Sequence, residues 1–358
     1  MEQLVAFVLT AALSALLTWL LLRFGGRAGW MDRPGRLKFH PAPVPTMGGV
    51  ALVSAFLAGL WAVELFSPEH YVRDLHYLIG FTLAGLAIMG LGVWDDLVGC
   101  SAWQKFSVQV FAALTLYGFG FGIREVTNPL DDAMSLDFLG FPITILWIVG
   151  VTNAINLIDG VDGLAAGVVL ISSLTLTVIA FQHQERLVLL AAFLLAASLT
   201  GFIGFNLPPA RIFLGDTGSL FLGLTISAVS LLENQRKGTV TVTLLLPIVL
   251  MAIPITDTLL AISRRLLHGR HPFQGDTEHL HHRLLGLGLG PWRVLLIFYS
   301  FSIGLSIAAY FLSVLPKQHV MLLIFALAAC LGLALRALQM VERVRKGAPG
   351  VLPRPGGK

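Results

Sequence analysis

Pairs of carboxylates interrupt an otherwise apolar sequence, and the first pair is Asp95-Asp96, followed along the chain by Lys105. Adjacent carboxylates repel each other and raise each other's pKa unless a cation lies near them. A divalent metal ion or the Lys105 ammonium group would supply that cation. The alternative interpretation is a pair of solvated carboxylates in a short loop. The three residues are therefore candidates for a site that handles charge.

A second cluster combines two asparagines with two Asp-Gly steps, and its polar residues are Asn153, Asn156, Asp159 and Asp162. Asparagines three residues apart lie on one face of a helix. The Asp-Gly steps add tight turns, so the segment can offer oxygen atoms to a cation and backbone amides to an anion. It is not an EF-hand, because the ligand spacing of that loop is absent. A plain turn would not need all of these residues.

A third cluster, Phe213-Leu-Gly215-Asp216-Thr-Gly218-Ser219, lies at the start of another apolar run. Free amides and the helix dipole favour anions at a helix N-terminus. Asp216 therefore belongs to a candidate phosphate- or metal-binding turn, although it could equally be a plain N-cap.

A fourth cluster lies in the basic segment 264–293 and contains His279, His281, His282 and Arg283. Three histidines within four positions first suggest zinc. The segment lacks the H-E-x-x-H pattern and has no cysteine nearby, so it does not match a zinc site. Histidine and arginine beside a bilayer fit phosphate recognition better.

Asp257 stands alone in a later apolar run that also contains Pro247 and Pro254. Prolines in such a run break or kink the helix, and the freed backbone groups need partners. We expect Asp257 to face the interior of a helix bundle, and its role is left open.

Composition decides which elements position these clusters. Hydrophobic residues make up 56% of the 358 residues and charged residues 12%, with a mean hydropathy of +0.81. An average soluble protein is about a quarter charged, so this chain cannot cover a soluble surface. The net charge of +4 is small, and nothing in the sequence indicates nucleic acid. Cys100 and Cys330 lie far apart and form neither a metal spacing nor a disulfide framework.

Apolar runs separated by polar residues, glycine or proline predict an all-α polytopic membrane protein of about eleven transmembrane helices. The runs are 3–23, 47–66, 76–94, 105–123, 141–158, 164–182, 187–206, 212–232, 240–262, 292–314 and 319–340. The first run is interpreted as a retained span, because no basic segment precedes it as in a cleaved signal peptide. We expect one transmembrane catalytic domain over 1–346 and a disordered cytoplasmic tail over 347–358. The acidic segment 124–140 is expected to be a solvated loop, although a short hairpin is an alternative.

The Lys and Arg residues orient the spans. Placing the N-terminus outside and the C-terminus in the cytoplasm divides the 24 Lys and Arg residues three to one in favour of the inner side. All four clusters then lie in or beside inner loops, where we expect a cleft that holds the active site. These loops lie near 24–46, 95–104, 156–163, 206–219 and 264–291. Ionisable groups at membrane depth are costly and are therefore functional candidates.

Taken together, the clusters resemble the polyprenyl-phosphate N-acetylhexosamine-1-phosphate transferases, glycosyltransferase family 4. The resemblance runs from about residue 32 to 290 with the motifs in the family's order. The matching motifs are Asp32-x-Pro34, Pro45-x-x-Gly48-Gly49, Asp95-Asp96 with Lys105, Asn153-x-x-Asn156-x-x-Asp159-Gly160-x-Asp162-Gly163, Phe213-x-Gly215-Asp216-x-Gly218-Ser219 and His279-x-His281-His282-Arg283. The four clusters, in this order and on one membrane face, are far more specific than any one of them.

The resemblance implies transfer of a sugar-1-phosphate from a UDP-sugar to a polyprenyl phosphate, with release of UMP and help from Mg²⁺, for which Mn²⁺ could substitute. Both reactants are anionic, so attack on the β-phosphorus needs charge neutralisation and positioning more than covalent protein chemistry. Mg²⁺ binds carboxylates together with substrate phosphates. Direct attack by the lipid phosphate and a two-step route through an aspartyl intermediate both remain open, and we favour direct attack.

The resemblance also implies roles for residues. Asp216 would bind Mg²⁺, Asp95 would deprotonate or orient the lipid phosphate, and Asp96 and Lys105 would support that centre. Phe213 would stack on uracil. The remaining implied substrate-binding residues are Asn153, Asn156, Asp159, Asp162, His279, His281, His282 and Arg283.

The histidine segment indicates the donor. The branch that accepts UDP-MurNAc-pentapeptide carries three consecutive histidines followed by Phe-Glu, whereas this chain reads His279-Leu-His-His-Arg-Leu. It is similar to the branch that uses UDP-N-acetylglucosamine and undecaprenyl phosphate to start O-antigen, common antigen or teichoic acid synthesis. Other UDP-N-acetylhexosamines and the muramoyl donor stay alternatives. A bacterial cytoplasmic membrane location, and a homodimer, are expected by resemblance only.

Two other classes fit less well. The D-x-x-D-G-x-x-A-R start of the CDP-alcohol phosphatidyltransferases is partly met from Asp159 to Ala166, but Gly167 replaces the arginine. A membrane transporter would place ionisable residues near mid-membrane and often show inverted repeats. Here the ionisable residues cluster at one face, which favours an enzyme.

Overall fold

The structure is a computed structural model that describes residues 2–32, 43–66, 75–123, 125–127, 133–232, 245–269 and 279–347. The predicted all-α architecture is confirmed. In chain order the helices are α1 Glu2–Ala28, α2 Gly48–Phe66, α3 Leu75–Val98, α4 Ala102–Gly118, α5 Gly140–Ile158, α6 Leu164–Gln182, α7 Arg186–Asn206, α8 Gly215–Leu232, α9 Leu245–Leu250, α10 Ala252–Leu267, α11 Leu280–Gly286, α12 Pro291–Val314 and α13 Lys317–Gly347. The predicted disordered tail after α13 lies outside the described residues.

Nine helices of the described ranges are long and apolar enough to cross a membrane, against about eleven predicted spans. The two predicted spans that do not meet this criterion are 105–123, which overlaps α4, and 240–262, which overlaps α9 and α10. Helix α4 has only 17 residues, whereas about 20 are needed to span the hydrocarbon core. Helices α9 and α10 divide the ninth apolar run at Met251. The number of spans and the side on which the N-terminus lies therefore stay predictions.

The break at Met251 has its cause in the sequence. Pro247 and Pro254 flank it, and a proline inside a helix removes a hydrogen bond and clashes with the preceding turn. Met251 itself leaves the helical conformation, with φ −100° and ψ 17°. The break separates α9 from α10, and α10 is the helix that carries Asp257.

Helix α8 is the centre of the bundle, since 89% of its most apolar stretch is buried. It packs against α2, α3 and α5. Glycines allow these helices to approach closely, as small residues commonly do between membrane helices. A Cβ on Gly223 would stand 2.5 Å from Thr152 Cα, and a Cβ on Gly92 would stand 2.2 Å from Thr217 Cα. Helix α8 is thus held by close contacts on two sides, and the contact with α3 lies at its N-terminus, next to Asp216.

Two short antiparallel ribbons join the helices. Strand β1, Met31–Asp32, pairs with β2, Val44–Pro45. Strand β3, Glu125–Thr127, pairs with β4, Ala133–Ser135, so the preferred prediction of a solvated loop in this segment was wrong and the hairpin alternative was right. The sequence gives a reason, because Val126 and Thr127 are β-branched and favour strands.

Candidate active site

A lysine joins two carboxylates at the N-terminus of α8. Lys105 Nζ lies 2.7 Å from Asp95 Oδ2 and also contacts Asp216 Oδ2. Asp95 comes from the C-terminal end of α3, and Asp216 from the first turn of α8. Ser101 starts α4 with a capping box, which places Lys105 in the first turn of that helix. The side chains are 15% to 26% exposed, so the ion cluster can still be reached by a ligand.

Asp96, and not Asp216, caps helix α8. Asp96 accepts hydrogen bonds from Asp216 N at 2.9 Å, Thr217 N at 3.1 Å and Thr217 Oγ1 at 2.7 Å. The first amides of a helix have no intrahelical partner, and here a carboxylate from α3 satisfies two of them. The N-cap alternative for Asp216 is thereby excluded. Its side chain is left to face Lys105 and α5.

Asn156 connects α5 to the same centre. Its Nδ2 donates to Asp216 Oδ1 at 3.1 Å and to Ser219 Oγ at 2.9 Å. Asn153, one turn earlier, donates instead to Gln109 Oε1 at 2.6 Å. Gln109, on α4, is almost fully buried at 2% exposure, and the sequence analysis did not single it out. Of the two asparagines, Asn156 touches the carboxylate cluster and Asn153 ties α5 to α4.

The Asp159–Asp162 turn follows α5 directly. Burial, and after it the charge of Asp216 and other nearby carboxylates, raises the pKa of Asp159 well above its ordinary value. Asp162 has a different part, since its Oδ2 accepts a hydrogen bond from Ala210 N at 2.9 Å. Asn206 Oδ1 accepts from Gly163 N at 3.0 Å and fastens the same turn to the end of α7. Asp159 is therefore close enough to the ion cluster for its pKa to respond to the charge there, whereas Asp162 anchors the turn.

The cluster has the donor chemistry of a magnesium site. Four carboxylates from α3, α8 and the turn after α5 lie together, and these are Asp95, Asp96, Asp159 and Asp216. No group of three His, Cys, Asp or Glu side chains in the described residues converges closely enough to hold a metal alone. Mg²⁺ commonly uses one or two carboxylates and completes its shell with water and substrate phosphates. A divalent cation would also offset the crowded negative charge that raises the pKa of Asp159.

Phe213 lies next to the Pro45-x-x-Gly48-Gly49 motif. Its N–H donates to Pro45 O at 2.8 Å, and its carbonyl accepts from Gly48 N at 3.0 Å. A Cβ on Gly49 would stand 2.1 Å from Gly218 N, so only glycine allows this contact with α8. The Phe213 ring is partly exposed beside the site.

His281 packs directly on the turn after α5. A Cβ on Gly160 would stand 2.2 Å from His281 Nε2. The His281 side chain is 1% exposed, and neither ring nitrogen has a hydrogen-bond partner among the residues that the structure describes. Burial, followed by the nearby His282, lowers the pKa of His281 to about 3, so this imidazole is neutral at physiological pH. A neutral imidazole does not supply the positive charge that an ion pair with phosphate needs.

The other residues of the histidine motif have partners elsewhere in the chain. Arg283 donates through Nε to Glu342 Oε1 at 2.8 Å and through Nη2 to Glu342 Oε2 at 2.9 Å. His279 Nδ1 lies 2.9 Å from Asp257 Oδ2. Asp257 is 1% exposed, which confirms that it faces the bundle interior. No motif in the sequence points to Glu342, and only its position in the last helix could have suggested it as a partner.

Residues 78–234 match the family described as Glycosyl transferase family 4. The chain is 36% identical over 306 residues to the probable undecaprenyl-phosphate N-acetylglucosaminyl 1-phosphate transferase of Bacillus subtilis, an alignment that covers 85% of this chain and 83% of the relative. It is 35% identical over 303 residues to the decaprenyl-phosphate N-acetylglucosaminephosphotransferase of Mycobacterium tuberculosis, which covers 76% and 73%. It is 33% identical over 327 residues to the phospho-N-acetylmuramoyl-pentapeptide-transferase of Heliobacterium modesticaldum, which covers 85% and 95%.

Proposed function

Because this chain belongs to glycosyl transferase family 4, the polyprenyl-phosphate N-acetylhexosamine-1-phosphate transferases, we propose that it transfers N-acetylglucosamine-1-phosphate from UDP-N-acetylglucosamine to undecaprenyl phosphate. The products are a lipid-pyrophosphate-linked sugar and UMP. The observation that carries the proposal is the contact of Lys105 with both Asp95 and Asp216 at the N-terminus of α8. That arrangement suits a reaction in which two anions must meet.

The proposed reaction is a direct displacement. An oxygen of the lipid phosphate attacks the β-phosphorus of the donor, and the bond from that phosphorus to the bridging oxygen breaks, so that UMP leaves with the bond electrons. Asp95 orients the lipid phosphate, which is already ionised and needs little base catalysis. Lys105 offsets the charge that accumulates where the two anions approach. Charge neutralisation and alignment supply most of the rate in phosphoryl transfer.

The magnesium ligand in this proposal is Asp216, whose Oδ1 is held by Asn156 at 3.1 Å. Mg²⁺, when bound, neutralises pyrophosphate oxygens of the donor. Asp96 cannot offer the same atoms freely, because its two oxygens accept three hydrogen bonds from the start of α8. Asp96 therefore fixes the position of the first turn of α8, and with it the position of the Asp216 side chain. This is the role of Asp96 in the proposed reaction.

The donor lies, in this proposal, between the Asp159 turn and the histidine motif. His281, buried and neutral, packs on Gly160 and supports the turn against which the nucleotide or sugar lies in this proposal. Phe213 stacks on uracil from the opposite loop. The proposal puts this site on the cytoplasmic face, where UDP-sugars are made, and the excess of Lys and Arg in the predicted inner loops supports that side. The product then starts a bacterial cell-envelope polysaccharide.

A transfer assay with purified protein tests the proposal. The protein, in detergent with Mg²⁺ and undecaprenyl phosphate, is given UDP-N-acetylglucosamine labelled in the sugar, and label in the lipid phase is measured together with released UMP. We expect equal amounts of both products, and a loss of both when EDTA replaces Mg²⁺. The variant Asp216→Asn is the matched control, because it keeps the shape of the side chain and removes its charge.

Donor comparison tests the sugar. UDP-N-acetylgalactosamine and UDP-MurNAc-pentapeptide are offered separately under the same conditions. The muramoyl donor is the second candidate, because the Heliobacterium relative named for it is covered over 95% of its length. Preference for UDP-N-acetylglucosamine supports the proposal. Transfer from the muramoyl donor alone would assign the chain to the other branch, and no transfer from any donor would reject the proposal.

A further inference from the structure

Both oxygens of the buried Asp257 carboxylate form hydrogen bonds with the first residues of the histidine motif, His279 and Leu280. Asp257 Oδ1 accepts a hydrogen bond from Leu280 N at 2.9 Å, and Oδ2 lies 2.9 Å from His279 Nδ1. Asp257 is 1% exposed and His279 is 4% exposed. A carboxylate in so dry a place is costly unless its oxygens are satisfied, and here the histidine motif satisfies them.

The first contact fixes where the motif helix begins. The opening amides of a helix lack intrahelical partners, and a side chain at the N-cap usually accepts from them. The N-cap of α11 is His279, which makes no such hydrogen bond with its side chain. Asp257 supplies the missing acceptor from α10. The start of α11 is therefore held by a residue that lies in a different helix.

The second contact fixes the state of the imidazole. A carboxylate in its ionised form only accepts hydrogen bonds, and opposite that form His279 Nδ1 carries the hydrogen. In the neutral ring, Nε2 is then the acceptor that faces away from Asp257. The His279 ring is stacked parallel to that of His281, with centroids 5.9 Å apart and an interplanar angle of 4°. His281 in turn packs on Gly160 of the turn that carries Asp159.

We propose that Asp257 is a positioning residue for the transfer reaction, which holds the start of α11 and the Nδ1–H tautomer of His279 so that His281 lies correctly against the Gly160 turn. The proposal rests on the proposed function for the reaction that is affected. Its structural part, the tautomer of His279, does not depend on which reaction the protein catalyses.

The variant Asp257→Asn tests the tautomer without changing the shape of the side chain. The amide oxygen can still accept from Leu280 N, but the amide nitrogen must donate to His279 Nδ1, which forces the hydrogen onto Nε2. Mutation of a carboxylate that orients a metal-binding histidine typically costs on the order of 10- to 100-fold, and we take the same range for the carboxylate that orients His279. We expect a loss of that size in kcat/KM for the UDP-sugar, with the KM for undecaprenyl phosphate unchanged. Asp137→Asn, at an exposed carboxylate beside α5, is the matched control and keeps wild-type kinetics.

A double-mutant comparison separates positioning from a general structural effect. If Asp257 acts through His279, adding Asp257→Asn to His279→Gln causes little further loss, because coupled residues are not additive. Losses that multiply would overturn the proposal, and so would wild-type kinetics in Asp257→Asn.

Nitrogen-15 NMR of histidine-labelled protein gives a readout that needs no turnover. The His279 signals are assigned by their loss in His279→Gln. We expect a protonated Nδ1 in the wild type and a protonated Nε2 in Asp257→Asn. An unchanged tautomer would overturn the proposal even if activity falls. Absence of sugar-phosphate transfer in the wild type, with the tautomer change intact, would instead reject the proposed function.

Discussion

Helices α3 and α8 approach each other closely at Gly92 but not at Gly90, although both glycines belong to α3. We therefore expect replacement by alanine to have opposite effects at the two positions. A Cβ on Gly92 would stand 2.2 Å from Thr217 Cα and 2.5 Å from Thr217 N, whereas a Cβ on Gly90 meets nothing within 4 Å. Both obstructing atoms belong to the backbone, so no side chain can rotate out of the way. The substitution Gly92→Ala must therefore push α3 and α8 apart.

The required movement is roughly 1 Å, the difference between the 2.2 Å approach and an ordinary contact near 3.4 Å. Asp96 lies one turn after Gly92 and accepts from Asp216 N and Thr217 N at 2.9 and 3.1 Å. A movement of that size takes both distances past the upper limit of about 3.2 Å for such hydrogen bonds. Overpacking typically costs about 1–3 kcal/mol of stability. A misplacement of about 1 Å at a reacting centre can cost on the order of 100-fold in rate.

The assay compares Gly92→Ala with Gly90→Ala as a matched pair. Each purified variant is melted, with tryptophan fluorescence as the signal, and its kcat/KM for sugar-phosphate transfer is measured. We expect Gly92→Ala to melt at a lower temperature and to lose on the order of 100-fold in kcat/KM. Gly90→Ala should keep wild-type kinetics and gain up to about 1 kcal/mol, because alanine is the better helix former. Equal behaviour of the two variants would refute the close approach of α3 and α8.

Three further predictions concern charge at the site. Mg²⁺ at about 100 times its Kd should stabilise the wild type by about 2.7 kcal/mol, and Asp216→Asn should lose this shift in a thermal melt and abolish turnover. Glu342→Gln weakens the pair with Arg283, which is partly exposed, so we expect a cost of no more than about 1 kcal/mol in melts and a small fall in kcat/KM. The raised pKa of Asp159 means that the folded state binds its proton more tightly than the unfolded state, so stability falls as pH rises from about 3.8 to the raised value. Without Mg²⁺, Asp159→Asn should therefore have a higher melting temperature than the wild type at about pH 7 but not at about pH 4, and it should lose activity. A lower melting temperature at neutral pH would contradict the explanation that burial and neighbouring charge raise the pKa of Asp159.

Hydropathy was enough to predict where the helices lie, because each apolar run carries at least one helix in the structure. It was not enough to predict their exact form. The ninth run contains Pro247 and Pro254, which signalled a break but not its position at Met251. The hairpin of β3 and β4 was misjudged, because acidic residues near its turn outweighed the β-branched Val126 and Thr127.

The motifs identified residues that the structure brings together, but not the contacts that support them. Asp95, Lys105 and Asp216 were predicted to share a site, and the structure brings their side chains into contact. Gln109 and Glu342 were missed, because a partner across the bundle depends on how two helices are aligned along their axes. Hydropathy contains no information on that alignment. A lone carboxylate in an apolar run is the one signal of this kind that a sequence shows, and it did identify Asp257.

The division of work among the carboxylates explains how the site can be both rigid and reactive. Both carboxylate oxygens of Asp96 accept hydrogen bonds from the first turn of α8, so that the Asp216 side chain projects into the site from a fixed position. Lys105 has three N–H donors, and Asp95 and Asp216 accept from two of them in the described part of the chain. The third donor suits an incoming phosphate oxygen. A binding anion can thus gain the lysine contact without the ion cluster having to break first, which keeps the reorganisation needed for the transfer small.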